Sequence, residues 1–321
     1  MRHLTGLYQV PAQTLHEILH AASVFKPSLL QSPPKLFSTL AGKTVVNLFF
    51  ENSTRTRTSF ELAERRLGAS SVNFAAAQSS TSKGESLLDT VANIEAMQVD
   101  AYVIRHPHAG AAELLTKHTQ KPVINAGDGQ HEHPTQALLD IFTLQETFEK
   151  LSGLRVLILG DILHSRVARS NIFGLQTLGA KVSLCAPPTL LPREIHRLGV
   201  TVFTDIREAI RNCDAVNVLR IQLEREAGGF IPSLSEYHRF YGLTEEAVAV
   251  ASKKIFILHP GPINREIEIS SSVADRFGSD AQEMPQAKSE SLILRQVTNG
   301  VAVRMAVLHL LLSSSPLPSP N

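Results

Sequence analysis

Short apolar runs recur along this chain, and stretches with the helical spacing of apolar residues lie between them. Residues 45–50, 71–74, 101–104 and 122–125 form a first series of such runs. Residues 154–159, 181–185, 200–203, 215–218 and 254–258 form a second. Runs this short, with little polar alternation, read as strands buried on both faces. The helical patterns fall at 15–25, 60–67, 85–97, 111–118, 135–147, 165–178, 191–198, 206–212 and 289–312, and Pro27, Pro33 and Pro34 are expected to break the first of them after residue 25. Strand and helix in alternation require right-handed crossovers and parallel pairing. At 321 residues the chain exceeds one domain. The expectation is an α/β protein of two doubly wound parallel-sheet domains, residues 1–146 and 147–288. The helix at 135–147 leads from one to the other, the helix at 289–312 packs back on the first, and residues 313–321 (SSSPLPSPN) form a disordered tail.

The densest polar cluster sits where the run at 45–50 meets the helix starting near residue 60. Ser53, Thr54, Arg55, Thr56, Arg57, Thr58 and Ser59 are consecutive. A helix N-terminus offers unpaired N–H groups and a positive dipole end, and hydroxyls with an Arg fork add charge-assisted donors. One Ser or Thr here would be an ordinary cap. Five hydroxyls and two Arg point instead to an oxyanion or phosphate.

Doubly wound sheets bind ligands beyond the carboxyl ends of their strands, and the remaining unusual residues fall at those places. Arg105 follows 101–104, His133 and Gln136 follow 122–125, Arg166 follows 154–159, Arg220 and Gln222 follow 215–218, and His259, Pro260, Gly261 and Pro262 follow 254–258. Repeated cations without acidic residues of similar density imply a multiply anionic ligand in the cleft between the domains. A net charge of +1 gives no general basic field, which argues against nucleic acid. No apolar run reaches membrane-spanning length and residues 1–10 lack a signal-peptide pattern, so the expected location is cytoplasmic. Cys185 and Cys213, each beside an apolar run, read as buried reduced thiols.

Two motifs carry less than they suggest. Residues 157–167 (LILGDILHSRV) open like a dinucleotide fold but lack the second and third glycines. His131, Glu132 and His133 are adjacent, which does not make ligands converge on a metal, so no metal is expected. No nucleophile-elbow motif or Cys/His pairing supports covalent catalysis.

The run Ser53 to Arg57 (STRTR) resembles the carbamoyl-phosphate signature of the carbamoyltransferases, and His133 to Gln136 (HPTQ) resembles that family's second motif. HPTQ, HPGP at 259–262, SKGE at 82–85 and RIQLER at 220–225 resemble its aspartate type rather than its ornithine type. The resemblance spans about residues 3–312. It implies transfer of a carbamoyl group from carbamoyl phosphate to L-aspartate without a cofactor, an early step of de novo pyrimidine biosynthesis. Ser53, Thr54, Arg55 and Thr56 would hold the phosphate. Thr56, Arg105 and His133 would surround the carbonyl oxygen, while Gln136, Gly261 and the Pro262 carbonyl would orient the carbamoyl NH2. Arg166, Arg220 and Gln222 would grip the aspartate carboxylates. Ser79 and Lys83 would enter the site of a neighbouring subunit in a homotrimer, and Glu51 would pair with Arg166 and Arg225 when the domains close. Regulatory or dihydroorotase partner chains are left open. Transfer to another amine such as ornithine, or a non-catalytic subunit that binds carbamoyl phosphate, are the competing readings.

Overall fold

The computed structural model describes residues 1–75, 86–222, 229–278 and 287–319. Ser79, Lys83 and Arg225 lie outside them. The chain divides into two compact units, Met1–Phe142 with Thr298–Asn321, and Thr143–Val297.

In the first unit the elements are α1 (Ala12–Leu29), β1 (Thr44–Phe49), α2 (Thr54–Arg66), β2 (Ser70–Ala75), α3 (Leu87–Ala96), β3 (Ala101–His106), α4 (Ala111–Thr116), β4 (Val123–Asp128) and the start of α5 (Pro134–Phe148). Its sheet is parallel throughout, in the order β2-β1-β3-β4. Each face of β1 has a different neighbour. Val46 and Leu48 join the cluster of Val91, Tyr102, Ile104 and Leu115, whereas Asn47 turns to α2, donating from Nδ2 to Glu64 Oε2 at 3.1 Å. Covering both faces is what makes the strand an unbroken apolar run, and each such Leu or Val contributes about 1.5–3 kcal/mol by burial.

The second unit continues with β5 (Arg155–Leu159), α6 (Arg166–Thr177), β6 (Lys181–Cys185), β7 (Thr201–Phe203), α7 (Ile206–Ile210), β8 (Ala215–Val218), α8 (Leu234–Tyr241), α9 (Glu245–Ala249), β9 (Ile255–Leu258), α10 (Ser271–Ala274) and β10 (Ser289–Ser291). Its parallel sheet runs β10-β9-β8-β5-β6-β7. Both sheets are thus parallel and doubly wound, as the alternation predicts. The last helix, α11 (Ile293–Leu312), begins in this unit and ends in the first, where His309 packs edge-on to Phe25 with ring centroids 5.5 Å apart. Cys185 and Cys213 are buried free thiols, and desolvation pushes both up to about 12. Among the described residues no helix is long and apolar enough to cross a membrane.

Several boundaries differ from the sequence expectation. Pro27 does not end α1 but sits in its last turn, where it forgoes one i→i−4 hydrogen bond while the buried face of Leu15, Ile18, Leu19, Ala22 and Phe25 continues to Ser28. The final helix does not start at residue 289: Ser289 and Ser291 pair with Ile255 and Ile257 as an edge strand first. Residues 191–198 are no α-helix. Leu191 is extended and Glu194 has φ 61°, leaving only the 3-10 turns Pro188–Leu190 and Ile195–Leu198.

Glu64, fully buried on α2, carries a measurable consequence. Burial raises its carboxyl, hydrogen bonds from Ser71 and Asn47 lower it, and burial wins, leaving it at about 7 against an ordinary 4.5. A folded value above the unfolded one means that its protonation adds stability fully below about 4.5, and that this stability is lost as pH rises through about 7. The difference is worth roughly 3 kcal/mol. Glu64→Gln, neutral at every pH, is expected to flatten the fall in melting temperature between pH 5 and pH 8; parallel melting curves for variant and wild type would overturn this.

Candidate active site

In each sheet the chain reverses its winding direction at one place. In the first unit β1 is followed outward by β2, then the chain returns to add β3 and β4 on the other side, so the switch point lies between β1 and β3. Register puts Phe49 opposite both Ala75 and Arg105, and His106 opposite Asp128, so the carboxyl ends form one row. In the second unit β5 leads outward to β6 and β7, then β8, β9 and β10 fill the other side, with the switch between β5 and β8.

At the first switch point, β1 delivers the chain to Ser53, which is extended at φ −161° and makes no side-chain cap. The N-termini of α3, α6, α7, α8 and α9 are each capped by Ser86, Ser165, Asp205, Ser233 and Thr244, whose oxygens accept from their own helices. The first turn of α2, which the Ser53 side chain does not cap, presents the positive end of its dipole at the carboxyl end of β1. Thr54 and Arg55 are exposed, and Thr56 is buried. Two other members of the polar run are used locally. Arg57 Nε lies 3.5 Å from Glu61, and Ser59 Oγ donates to the Thr56 carbonyl at 2.8 Å.

Arg105, at the end of β3, is fixed from both sides. Its Nη2 donates to Glu51 Oε1 at 2.8 Å and its Nη1 to the Ala126 carbonyl at 3.3 Å. Glu51 thus has a partner within its own unit. His133 is buried just before α5, with its carbonyl accepting from Gln136 and Ala137. Pro134 sits at the first helical position, where its missing donor is harmless. Gln136 Nε2 donates to Asp140 Oδ1 at 2.9 Å, one turn along.

The loop carrying His131 to His133 is held by Asp128. Burial alone would raise this carboxyl, but hydrogen bonds from His131, Asn125 and the Gly110 N–H outweigh it and hold it below its ordinary value. Glu132 points elsewhere, accepting from the Leu7 and Tyr8 N–H groups at 2.7 and 3.2 Å. Neighbours in sequence, these side chains serve different partners.

At the second switch point, Gly160 leaves β5 at φ 123°, where an added Cβ would meet the Leu219 carbonyl oxygen at 2.8 Å. Only glycine fits this close approach. Buried Asp161 then accepts from His164 N–H at 3.1 Å and Nδ1 at 2.9 Å, and from the Gln222 N–H at 3.4 Å. One carboxylate so joins the segments that follow β5 and β8. Ser165 caps α6, and Arg166, its first residue, is buried. A cation at the positive end of a helix is electrostatically unfavourable and therefore informative. Arg220 and Gln222 are half-buried just past β8.

Beyond β9, His259 Nδ1 accepts from the Gly261 N–H at 2.8 Å, which leaves the proton on Nε2 to donate to buried Glu268 at 3.1 Å. Glu268 also accepts from the Asn264 N–H at 2.5 Å, so both ends of the loop bearing Gly261 and Pro262 rest on one carboxylate. Sequence reasoning missed Asp140, Asp161 and Glu268. Only Asp140, four residues after Gln136 on one helix, left a readable signal. A cavity of ≈ 800 Å³ in the second unit is lined by Pro187, Thr204, Phe230 and Tyr241 beyond β6 and β7, and none of the candidate residues lines it. Volume is a weaker guide here than the switch points.

The model of the aspartate/ornithine carbamoyltransferase carbamoyl-P binding domain matches residues 2–146, and that of the Asp/Orn binding domain of the same enzymes matches residues 152–311. The aspartate carbamoyltransferase catalytic subunit of Chlorobium chlorochromatii is 58% identical over 315 residues, covering 98% of this chain and 99% of its own length. That of Chlorobium phaeobacteroides is 59% identical over 313 residues, covering 98% and 100%. Among solved structures, aspartate transcarbamoylase from Trypanosoma cruzi in complex with carbamoyl aspartate and phosphate superposes with a TM-score of 0.83 at 29% identity, covering 97% of this chain and 96% of the other. Ornithine carbamoyltransferase from Pyrococcus furiosus gives 0.82 at 26% identity, covering 98% of each chain. By sequence over nearly its whole length, and by two sheets with cations at their switch points, the chain belongs to the aspartate/ornithine carbamoyltransferase family.

Proposed function

We propose that the chain transfers the carbamoyl group of carbamoyl phosphate to the amine of L-aspartate, giving N-carbamoyl-L-aspartate and phosphate, early in pyrimidine biosynthesis. The observation that carries this reading is the content of the two switch points: hydroxyls, an uncapped helix N-terminus and cations at one, two Arg and a Gln at the other. Relatives of aspartate type at 56–59% identity favour that acceptor over ornithine.

The phosphate is assigned to Ser53, Thr54, Arg55 and Thr56, with Ser79 from the segment after β2. As the amine attacks the carbonyl carbon, charge builds on the carbonyl oxygen, and Thr56, Arg105 and His133 are its donors. Arg105 already held by Glu51 and Ala126 spends little reorganisation at that moment. Gln136, Gly261 and the Pro262 carbonyl orient the carbamoyl NH2. Arg166, Arg220, Gln222 and Lys83 are assigned to the aspartate carboxylates, and the leaving phosphate takes the amine's proton. The reaction is a substitution at an activated carbonyl and calls for no cofactor; holding the reactants in line is worth on the order of 7 kcal/mol in favourable cases.

Incubating the purified protein with carbamoyl phosphate and either L-aspartate or L-ornithine tests the reading. Colourimetric detection of carbamoyl-aspartate is expected; product with ornithine alone, or binding of carbamoyl phosphate without turnover, would overturn it. We also place the enzyme in the cytoplasm as a homotrimer whose Ser79 and Lys83 complete a neighbour's site. Mixing inactive Lys83→Ala and Arg55→Ala subunits is then expected to regenerate activity, because some sites receive both wild-type residues. Trimeric hybrids that stay inactive would remove the shared site.

A further inference from the structure

Gln136 and Asp140 lie one turn apart on α5, both buried, with the Gln136 amide nitrogen 2.9 Å from Asp140 Oδ1. An ionised carboxylate can only accept, so it determines which end of a facing amide turns toward it. The Asp140 charge also acts on α11. Arg304 of α11 is buried, and burial lowers its guanidinium to about 10, while the Asp140 charge acts to raise it. At neutral pH Arg304 is therefore still a cation. Arg304 is itself held in place, donating to the Gly300 carbonyl at 2.9 Å and stacking over the Phe60 ring of α2 at 5.0 Å.

We infer that Asp140 is a positioning residue: it takes the Gln136 NH2, leaving Gln136 Oε1 as an acceptor for the NH2 of the carbamoyl group. This rests on the assignment of carbamoyl phosphate to the first unit. A flipped Gln136 would set a donor against the substrate's donor, leaving both unsatisfied. Orientation of the amide, not its presence alone, then determines binding of the carbamoyl end.

The test exchanges the polarity of the pair. Gln136→Glu places a second carboxylate against Asp140 and is expected to lower kcat/KM for carbamoyl phosphate on the order of 100-fold. Adding Asp140→Asn to that variant supplies a donor to the introduced carboxylate, whose other oxygen can again accept from the substrate. The double variant is expected to recover about 10-fold or more. Asp140→Asn alone lets the amide take either orientation and should raise the KM for carbamoyl phosphate more than that for aspartate. A double variant no better than Gln136→Glu, at matched melting temperatures, would overturn the inference. Should Gln136→Glu not fold, the KM split in Asp140→Asn decides, and equal KM changes overturn it. Wild-type protein that makes no carbamoyl-aspartate would remove the functional reading and the inference with it, whereas active wild type with failed rescue removes the inference alone.

Discussion

Arg55→Ala is expected to lower kcat/KM for carbamoyl phosphate by about 100- to 1000-fold, the range for removing a single preorganised donor from a developing or bound oxyanion. The side chain is exposed at the first turn of α2, a helix whose packing rests on Phe60, Ala63 and Glu64. Removing Arg55 therefore leaves the buried face intact, and the melting temperature should stay near that of the wild type. The discriminating measurement is the pair of numbers together. Normal turnover sinks the assignment of the α2 N-terminus to phosphate, and a collapse of both activity and stability would make Arg55 structural.

The second large effect is expected on the other substrate. Arg220→Ala should raise the KM for aspartate by about 10- to 100-fold, the weight of a charge-assisted hydrogen bond to a carboxylate, with a smaller change in the KM for carbamoyl phosphate. Gln222→Ala should act in the same direction more weakly, since a neutral amide makes weaker bonds to an anion. The backbone N–H of Gln222 is anchored on Asp161, so the truncation need not displace the segment. Equal effects on both substrates would count against dividing them between the two switch points.

How much of this could be read from the sequence depended on what held each feature. Strands β1, β5 and β8 were legible because parallel sheets covered on both faces leave unbroken apolar runs. β10 was not, because a Ser-Glu-Ser edge strand is held by its neighbour's backbone and carries no apolar pattern. Nor was α8, of whose 8 residues only Tyr237 is buried, and α9 and α10, of 5 and 4 residues, offer little more than one turn. At the candidate site, Ser53 to Thr56, Arg105 and His133 were conspicuous as residue types. The groups that fix them were not. Glu268 serves His259 across nine residues of irregular chain, and Glu51 meets Arg105 across 54, so neither pairing has a periodic signature.

Helix α2 has a further property, which follows from Ser53 being left out of its capping. A first turn to which its N-cap side chain offers no acceptor is less stabilised by its own sequence, by about 1 kcal/mol relative to a capped helix. A bound phosphate oxygen would supply that acceptor, so ligand binding and completion of the helix become one event. The amides of Thr54 and Thr56 should then exchange with solvent faster in the free protein than once carbamoyl phosphate is bound. Selection for a more stable α2, through an Asp or a capping Ser rotamer at position 53, would work against substrate affinity, because the cap and the phosphate would compete for the same hydrogens.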